Sequence, residues 1–168
     1  MRTKNVQYYV EGEDDEKVVK VLKDDLKVIR PGRVQKMNVV QNVLTEMRLR
    51  TLLPGTMVVL VFDNDAGNIN VLNENIRILN GYSAVSEVVI IPQVQNLEDE
   101  LVRSCDIKTA EELLNSKSRS RFKSDIIKVT NLANKLQEHS FDISKFWTGR
   151  AAFPYVGISN QSDKVKIR

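Results

Sequence analysis

The apolar positions of the chain fall into two rhythms. Short runs, "VQYYV" from Val6, "LKVI" from Leu26, "MVVLVF" from Met57 and "EVVIIP" from Glu87, read as strands. The third and fourth are almost continuously apolar, which suits parallel strands covered on both faces; a half-solvated antiparallel strand would alternate. Between them the spacing becomes helical. Val18, Val19, Leu22 and Leu26 recur on one helix face, with Lys17, Lys20 and Lys23 on the other. A longer helix is predicted over residues 34–53, ended by "LPGT", where Pro54 cannot continue a helix and Gly55 permits a turn. A third spans residues 69–79 and stops at "NGY". Beyond Pro92, "LEDELVRSC", "KTAEELL" and "SDIIKVTNLANKLQ" are helical in character, with no convincing further strand before the tail.

This alternation predicts an α/β fold, a Rossmann-like parallel β-sheet flanked by helices, with a C-terminal helical extension. Residues 1–95 form the core, 96–147 the helical extension completing the same domain, and 148–168 a tail. A length of 168 residues suits one such domain and is enough to bury a real core. An apolar fraction of 42% and a charged fraction of 28% exclude a disordered or fibrous chain.

Charge and cysteine usage narrow the classes further. Lysine and arginine total 25 against 22 acids, a balance that permits a polyanionic partner without requiring one. The single cysteine, Cys105, cannot form an internal disulfide, and with one histidine, His139, there is no Cys/His cluster for zinc. No leader and no run of about 18 apolar residues marks export or membrane insertion, so no membrane association and a cytoplasmic location are expected. No Gly-x-x-x-x-Gly-Lys-Ser/Thr loop is present, so the chain should not hydrolyse ATP by itself. Oligomeric state is not encoded in these patterns.

Two acidic turns carry the candidate chemistry. "EGEDDE" follows the first strand and brings Glu11, Glu13, Asp14, Asp15 and Glu16 to one joint; "DNDAG" follows the third with Asp63 and Asp65. Taken singly, each has a plainer explanation: acids complement the dipole of a helix's first turn, and Asp, Asn and Gly are common turn residues. If the strand order is flavodoxin-like, 2-1-3-4, strands one and three are neighbours at the topological switch point, and Glu11, Asp63 and Asp65 converge. Converging carboxylates resist ionising together unless a cation or proton intervenes. An all-oxygen ligand set suits Mg²⁺ or Mn²⁺, which keep waters and bind phosphate oxygens.

In "YYVEGEDD" and "VFDNDAG" the chain resembles the Toprim fold, whose signatures are an apolar strand ending in Glu-Gly-x-x-Asp and another ending in Asp-x-Asp-x-x-Gly. Glu11, Gly12 and Asp15 match the first; Asp63 and Asp65 match the second, whose glycine arrives one place early as Gly67. The likeness covers residues 6–95. "PQVQNLEDELVRSC" is similar to the Leu-Glu element of small OLD-type Toprim nucleases, with Glu98 the matching acid and Glu100 an alternative. Those enzymes also use a downstream lysine near the scissile phosphate, for which Lys123 in "SRFKSDII" is the candidate.

The resemblance implies a Mg²⁺- or Mn²⁺-dependent nuclease acting on DNA or RNA. Glu11, Asp15, Asp63, Asp65 and Glu98 would be the metal ligands, and Glu11, Asp63 and Lys123 the catalytic groups, with Glu11 either a ligand or a general base. Gly12 would let the chain turn so that Glu11 and Asp15 face one site, leaving Glu13, Asp14 and Glu16 dispensable. It also implies a separately encoded P-loop ATPase partner of the OLD type in anti-phage defence. The basic stretch "SKSRSRFK" offers Lys117, Arg119, Arg121 and Lys123 to phosphates, or forms a solvated helix start. Arg30, Arg33, Lys36, Arg48 and Arg50 could widen that surface. "FDISKFWTG" supplies aromatic packing through Phe141, Phe146 and Trp147, with base stacking as the alternative. His139 is expected at the surface. Two rival functions stand beside the nuclease: a non-catalytic Toprim module that binds nucleic acid or assembles with a larger enzyme, and a phosphoacceptor receiver-like domain, against which the sequence shows no fifth strand ending in lysine.

Overall fold

The computed structural model describes residues 5–65, 67–151 and 153–167. Four strands, β1 (Val6–Val10), β2 (Arg33–Lys36), β3 (Thr56–Asp63) and β4 (Val85–Gln93), form one sheet in the order β2-β1-β3-β4 with every pairing parallel. The helices are α1 (Glu13–Lys20), α2 (Glu46–Leu49), α3 (Ile69–Asn80), α4 (Leu97–Ser104), α5 (Arg119–Lys128) and α6 (Leu132–Glu138). The α/β arrangement and the flavodoxin-like strand order both follow the sequence pattern.

The sheet separates two apolar layers. Alternate residues of the strands, among them Tyr8, Val10, Val59, Val61 and Ile91, pack with Val18 and Val19 of α1, Leu101 of α4, Phe122 and Ile126 of α5, Leu132 and Leu136 of α6, and Phe146 and Trp147. On the opposite face Tyr9, Leu60 and Phe62 meet Leu49 of α2, Leu72 and Leu79 of α3, and Tyr155. Each fully buried side chain of this kind contributes about 1.5–3 kcal/mol relative to exposure. β3 is buried along nearly its whole length, which is why its sequence reads as an unbroken apolar run.

Two predicted elements are corrected. The second strand is not "LKVI" but Arg33–Lys36, an edge strand whose exposed side chains hide it from an apolar search. Ile29 is buried, but Lys27 adopts a left-handed backbone (φ 55°) that turns the chain after a π turn at Val21–Asp25. The predicted helix over 34–53 is reduced to α2, N-capped by Thr45, whose Oγ1 accepts from Arg48 N. Val39, Val40 and Leu44 are buried all the same, on irregular backbone that the fully buried Asn75 of α3 satisfies: its Nδ2 donates to Val39 O and Asn42 O, and its Oδ1 accepts from Leu44 N. The helical stretch "SDIIKVTNLANKLQ" falls in two helices, α5 and α6.

The segment after residue 148 packs back on the core. Gln161 donates its backbone N–H to Ile90 O and accepts Ile90 N–H on its side-chain oxygen, covering the outer edge of β4. Near the end, Ile29 and Lys166 form an antiparallel bridge. Among the described residues, no helix is long and apolar enough to cross a membrane.

Candidate functional site

β1 and β3 are adjacent and parallel, so their carboxyl ends open on the same edge of the sheet. Glu11 directly follows β1, and Asp63 and Gln93 are the last residues of β3 and β4, directly opposite one another in register. Side chains alternate along a strand, so Asp63, in step with Val59 and Val61, faces the layer that contains α1. Asp15 enters from that layer, in the third position of α1, where its Oδ2 accepts the N–H of the N-cap Gly12 at 3.0 Å.

The carboxylates then meet around two donors. Asp63 N donates to Glu11 Oε2 at 3.0 Å, and Gln93 Nε2 donates to both Asp15 Oδ1 and Asp63 Oδ1 at 2.8 Å. Asp15 is buried; Glu11 and Asp63 are half-buried. Gly12 sits on extended backbone (φ −140°), so its role is not the conformational freedom expected of it. A Cβ there would come 3.0 Å from Asp14 Oδ1 and 3.6 Å from Asp15 Oδ2, crowding the acids of the turn. In the second turn Gly67 does need its glycine: φ is 88° and a Cβ would fall 2.3 Å from Val40 Cγ2. Ala66 lies outside the described residues.

Crowding of like charges in a partly dry edge shows in the acidities. Asp63 is pushed up to about 9, first by burial and then by the charges of Asp15 and Glu11, against which the Gln93 hydrogen bond works only partly. Asp15 is pushed up to about 7 by burial and by Asp14, with Glu11 adding to it. Glu11 is raised by burial, then opposed by the Asp63 N–H; Asp65 and Asp14 push it up and Lys123 pulls it down. An acidic edge that holds protons for want of a counter-charge suits a hard divalent cation, which needs only one or two protein carboxylates alongside waters and substrate oxygens. Among the described residues, no three acidic, histidine or cysteine side chains are already arranged to hold one.

The other predicted residues divide. Asp65 is exposed at the rim and reaches Glu11 and Asp63 through its charge. Glu98, in the first turn of α4, is buried; its Oε1 has no hydrogen-bond partner among the described residues and lies 3.7 Å from Lys123 Nζ. Lys123, 61% exposed on α5, stands beside Glu98, and its charge is felt at Glu11. Glu100 is structural: Oε1 accepts from Val94 N and Arg103, and Oε2 from Trp147 N at 2.7 Å. Lys117, Arg119 and Arg121 are exposed at the start of α5, which Ser118 N-caps. Glu13 pairs with Lys36 and Glu16 with Lys20, away from the hydrogen bonds of the cluster. His139 pairs with Asp106 near the surface, as expected of it.

Three residues of this edge escaped sequence reasoning. Gln93 joins Asp15 to Asp63; Trp147 donates its indole N–H to Gln93 Oε1 at 3.0 Å; and Tyr155 packs on Phe62, its hydroxyl raised by burial and by the charge of Glu11. Gln93 could have been found by aligning strand ends once the sheet order was assumed. Trp147 and Tyr155 carry no such signal, since 54 residues separate Trp147 from its partner. In comparisons with known proteins, no protein-family model, no curated protein and no solved structure matches the chain.

Proposed function

We propose that the protein hydrolyses nucleic-acid phosphodiester bonds at the Glu11–Asp15–Asp63 edge with Mg²⁺ or Mn²⁺, as its Toprim-like motifs suggest. The observation that carries this reading is the junction of both motifs at one sheet edge, where Asp15 and Asp63 share a single amide donor and retain protons for lack of a counter-charge. Asp15 and Asp63 would hold the cation, with Glu11, Asp65 and Glu98 the neighbouring acids. When bound, the cation supplies Lewis-acid activation of water and stabilises the attacking and leaving oxygens. Glu11 lies next to those ligands and serves either as a further ligand or as the base that takes a proton from water. Lys123 is exposed enough to meet a phosphate, and its charge favours the ionised form of Glu11. Lys117, Arg119 and Arg121 extend that positive flank along the start of α5. A cytoplasmic setting and a separate P-loop ATPase partner in anti-phage defence belong to the same reading.

The second reading, a non-catalytic Toprim-like module, draws support from the Gln93 amide already lying between the two aspartates. The receiver-like reading is weaker, because among the described residues the sheet ends at β4. A panel of duplex DNA, single-stranded DNA, ribosomal RNA and transfer RNA, incubated with Mg²⁺, Mn²⁺ or EDTA, separates the first two. Cation-dependent cleavage of one polymer is expected, and binding without cleavage favours the module.

A further inference from the structure

Gln93 is 1% exposed, and its carboxamide is oriented from both ends. The atom 2.8 Å from both Asp15 Oδ1 and Asp63 Oδ1 is the nitrogen, because the other end of the amide faces a group that can only donate. The opposite atom must be the oxygen, because it accepts the indole N–H of Trp147. Both amide hydrogens are thus aimed at the acidic pair, one to each residue.

Trp147 is itself held in an unfavourable conformation. Its φ of 58° lies in the left-handed region that a bulky side chain rarely adopts and that neighbouring structure must enforce. Here Glu100 Oε2 accepts its backbone N–H, while Asn160 Nδ2 and Ser162 Oγ donate to its carbonyl. The Glu100 carboxylate and the returning C-terminal segment therefore converge on one residue whose ring ends on Gln93.

We propose that Gln93, aimed by Trp147, is a positioning residue that occupies the cation's place between Asp15 and Asp63 and yields it when the cation binds. This rests on the cation of the proposed function but not on its chemistry. With two donors from one atom, Gln93 holds an oxygen of each carboxylate 2.8 Å from a single nitrogen. Entry of a cation between them breaks at least one of the two hydrogen bonds and shifts the amide, and the indole of Trp147 registers the shift.

Trp147 is the only tryptophan, so its emission reads one site. Mg²⁺ titration of the full chain, followed by emission and by calorimetry, should give a saturable emission change with the same midpoint as binding. Gln93→Glu, which adds a carboxylate at the bridging position and keeps the acceptor for the indole, should tighten Mg²⁺ binding by about tenfold or more, since affinity follows ligand charge. Gln93→Leu should still bind Mg²⁺ but lose the emission response. An emission that stays constant while calorimetry saturates, no Mg²⁺ binding at all, or unchanged affinity in Gln93→Glu would each overturn the proposal. The wild-type titration decides alone if the variants fail to fold. Mg²⁺-linked emission without cleavage of any nucleic acid sinks the nuclease reading and supports the clasp. Cation-dependent cleavage by wild type with no emission response does the reverse.

Discussion

Asp63→Asn should make the metal-free protein more stable, and the size of the gain follows from its acidity. Asp63 keeps its proton up to about pH 9 in the fold, against a value of 3.8 when unperturbed. Between those values the fold binds more protons than the unfolded chain, so stability falls as pH rises through the window and levels off above it. At pH 7 about three pH units of the window have been crossed, and at about 1.4 kcal/mol per unit the ceiling is about 4 kcal/mol. Water reaching the sheet edge and small local rearrangement reduce this, leaving an expected gain of about 2 kcal/mol, or about 4–8 °C in Tm for a domain of this size. The substituted carboxamide keeps volume and an oxygen able to accept from Gln93 while removing the repulsion with Asp15 and Glu11. Urea unfolding in EDTA at pH 6, 7, 8 and 9 is the assay. Wild-type stability should decline across the series, and the variant should start higher and decline less. A variant of equal or lower stability, or a wild type that gains stability from pH 6 to 9, would refute the electrostatic account of the cluster.

Other expected outcomes separate roles within the acidic turns. Glu11→Gln and Asp15→Asn should each lower single-turnover cleavage by about 100-fold or more, as expected for groups at the centre of charge stabilisation, whereas Glu13→Gln and Glu16→Gln should change it only slightly. Equal losses in all four would mean a diffuse patch. Glu100→Ala should cost about 3 kcal/mol in urea unfolding, because it strips a buried carboxylate from Arg103, Val94 N and Trp147 N; a cost below about 1 kcal/mol would contradict its structural role. Lys123→Ala should reduce cleavage about tenfold or more with stability changed by under about 1 kcal/mol, since its pair with Glu98 is solvent-accessible on the lysine side; a comparable fall in stability would make it a structural residue.

Legibility followed burial. β1 and β3 are buried between the helical layers almost throughout, and β4 over its carboxyl-terminal part, so their apolar composition marks them. β2 is an edge strand of mostly polar residues and is set by pairing with β1, a long-range fact absent from local pattern. The stretch over 34–53 has enough apolar residues for a helix face, yet Asn75, a distant residue on α3, supplies hydrogen bonds that a helix would have supplied itself. The acids of the site were legible because two short motifs sit at ends of strands that the α/β pattern makes neighbours. Gln93 and Trp147 were not, because a glutamine at a strand end and a tryptophan in a loop acquire meaning only when register and the returning chain place them together.

The most direct measurement of the central claim is single-turnover cleavage of the preferred polymer by wild type and Asp63→Asn, each with saturating Mn²⁺ and with EDTA. Cleavage by the wild type with Mn²⁺ only, reduced about 100-fold or more in a folded Asp63→Asn protein, is the expected result. Cleavage that persists in EDTA, or that Asp63→Asn leaves unchanged at saturating Mn²⁺, would contradict a cation-dependent phosphodiesterase at this edge of the sheet.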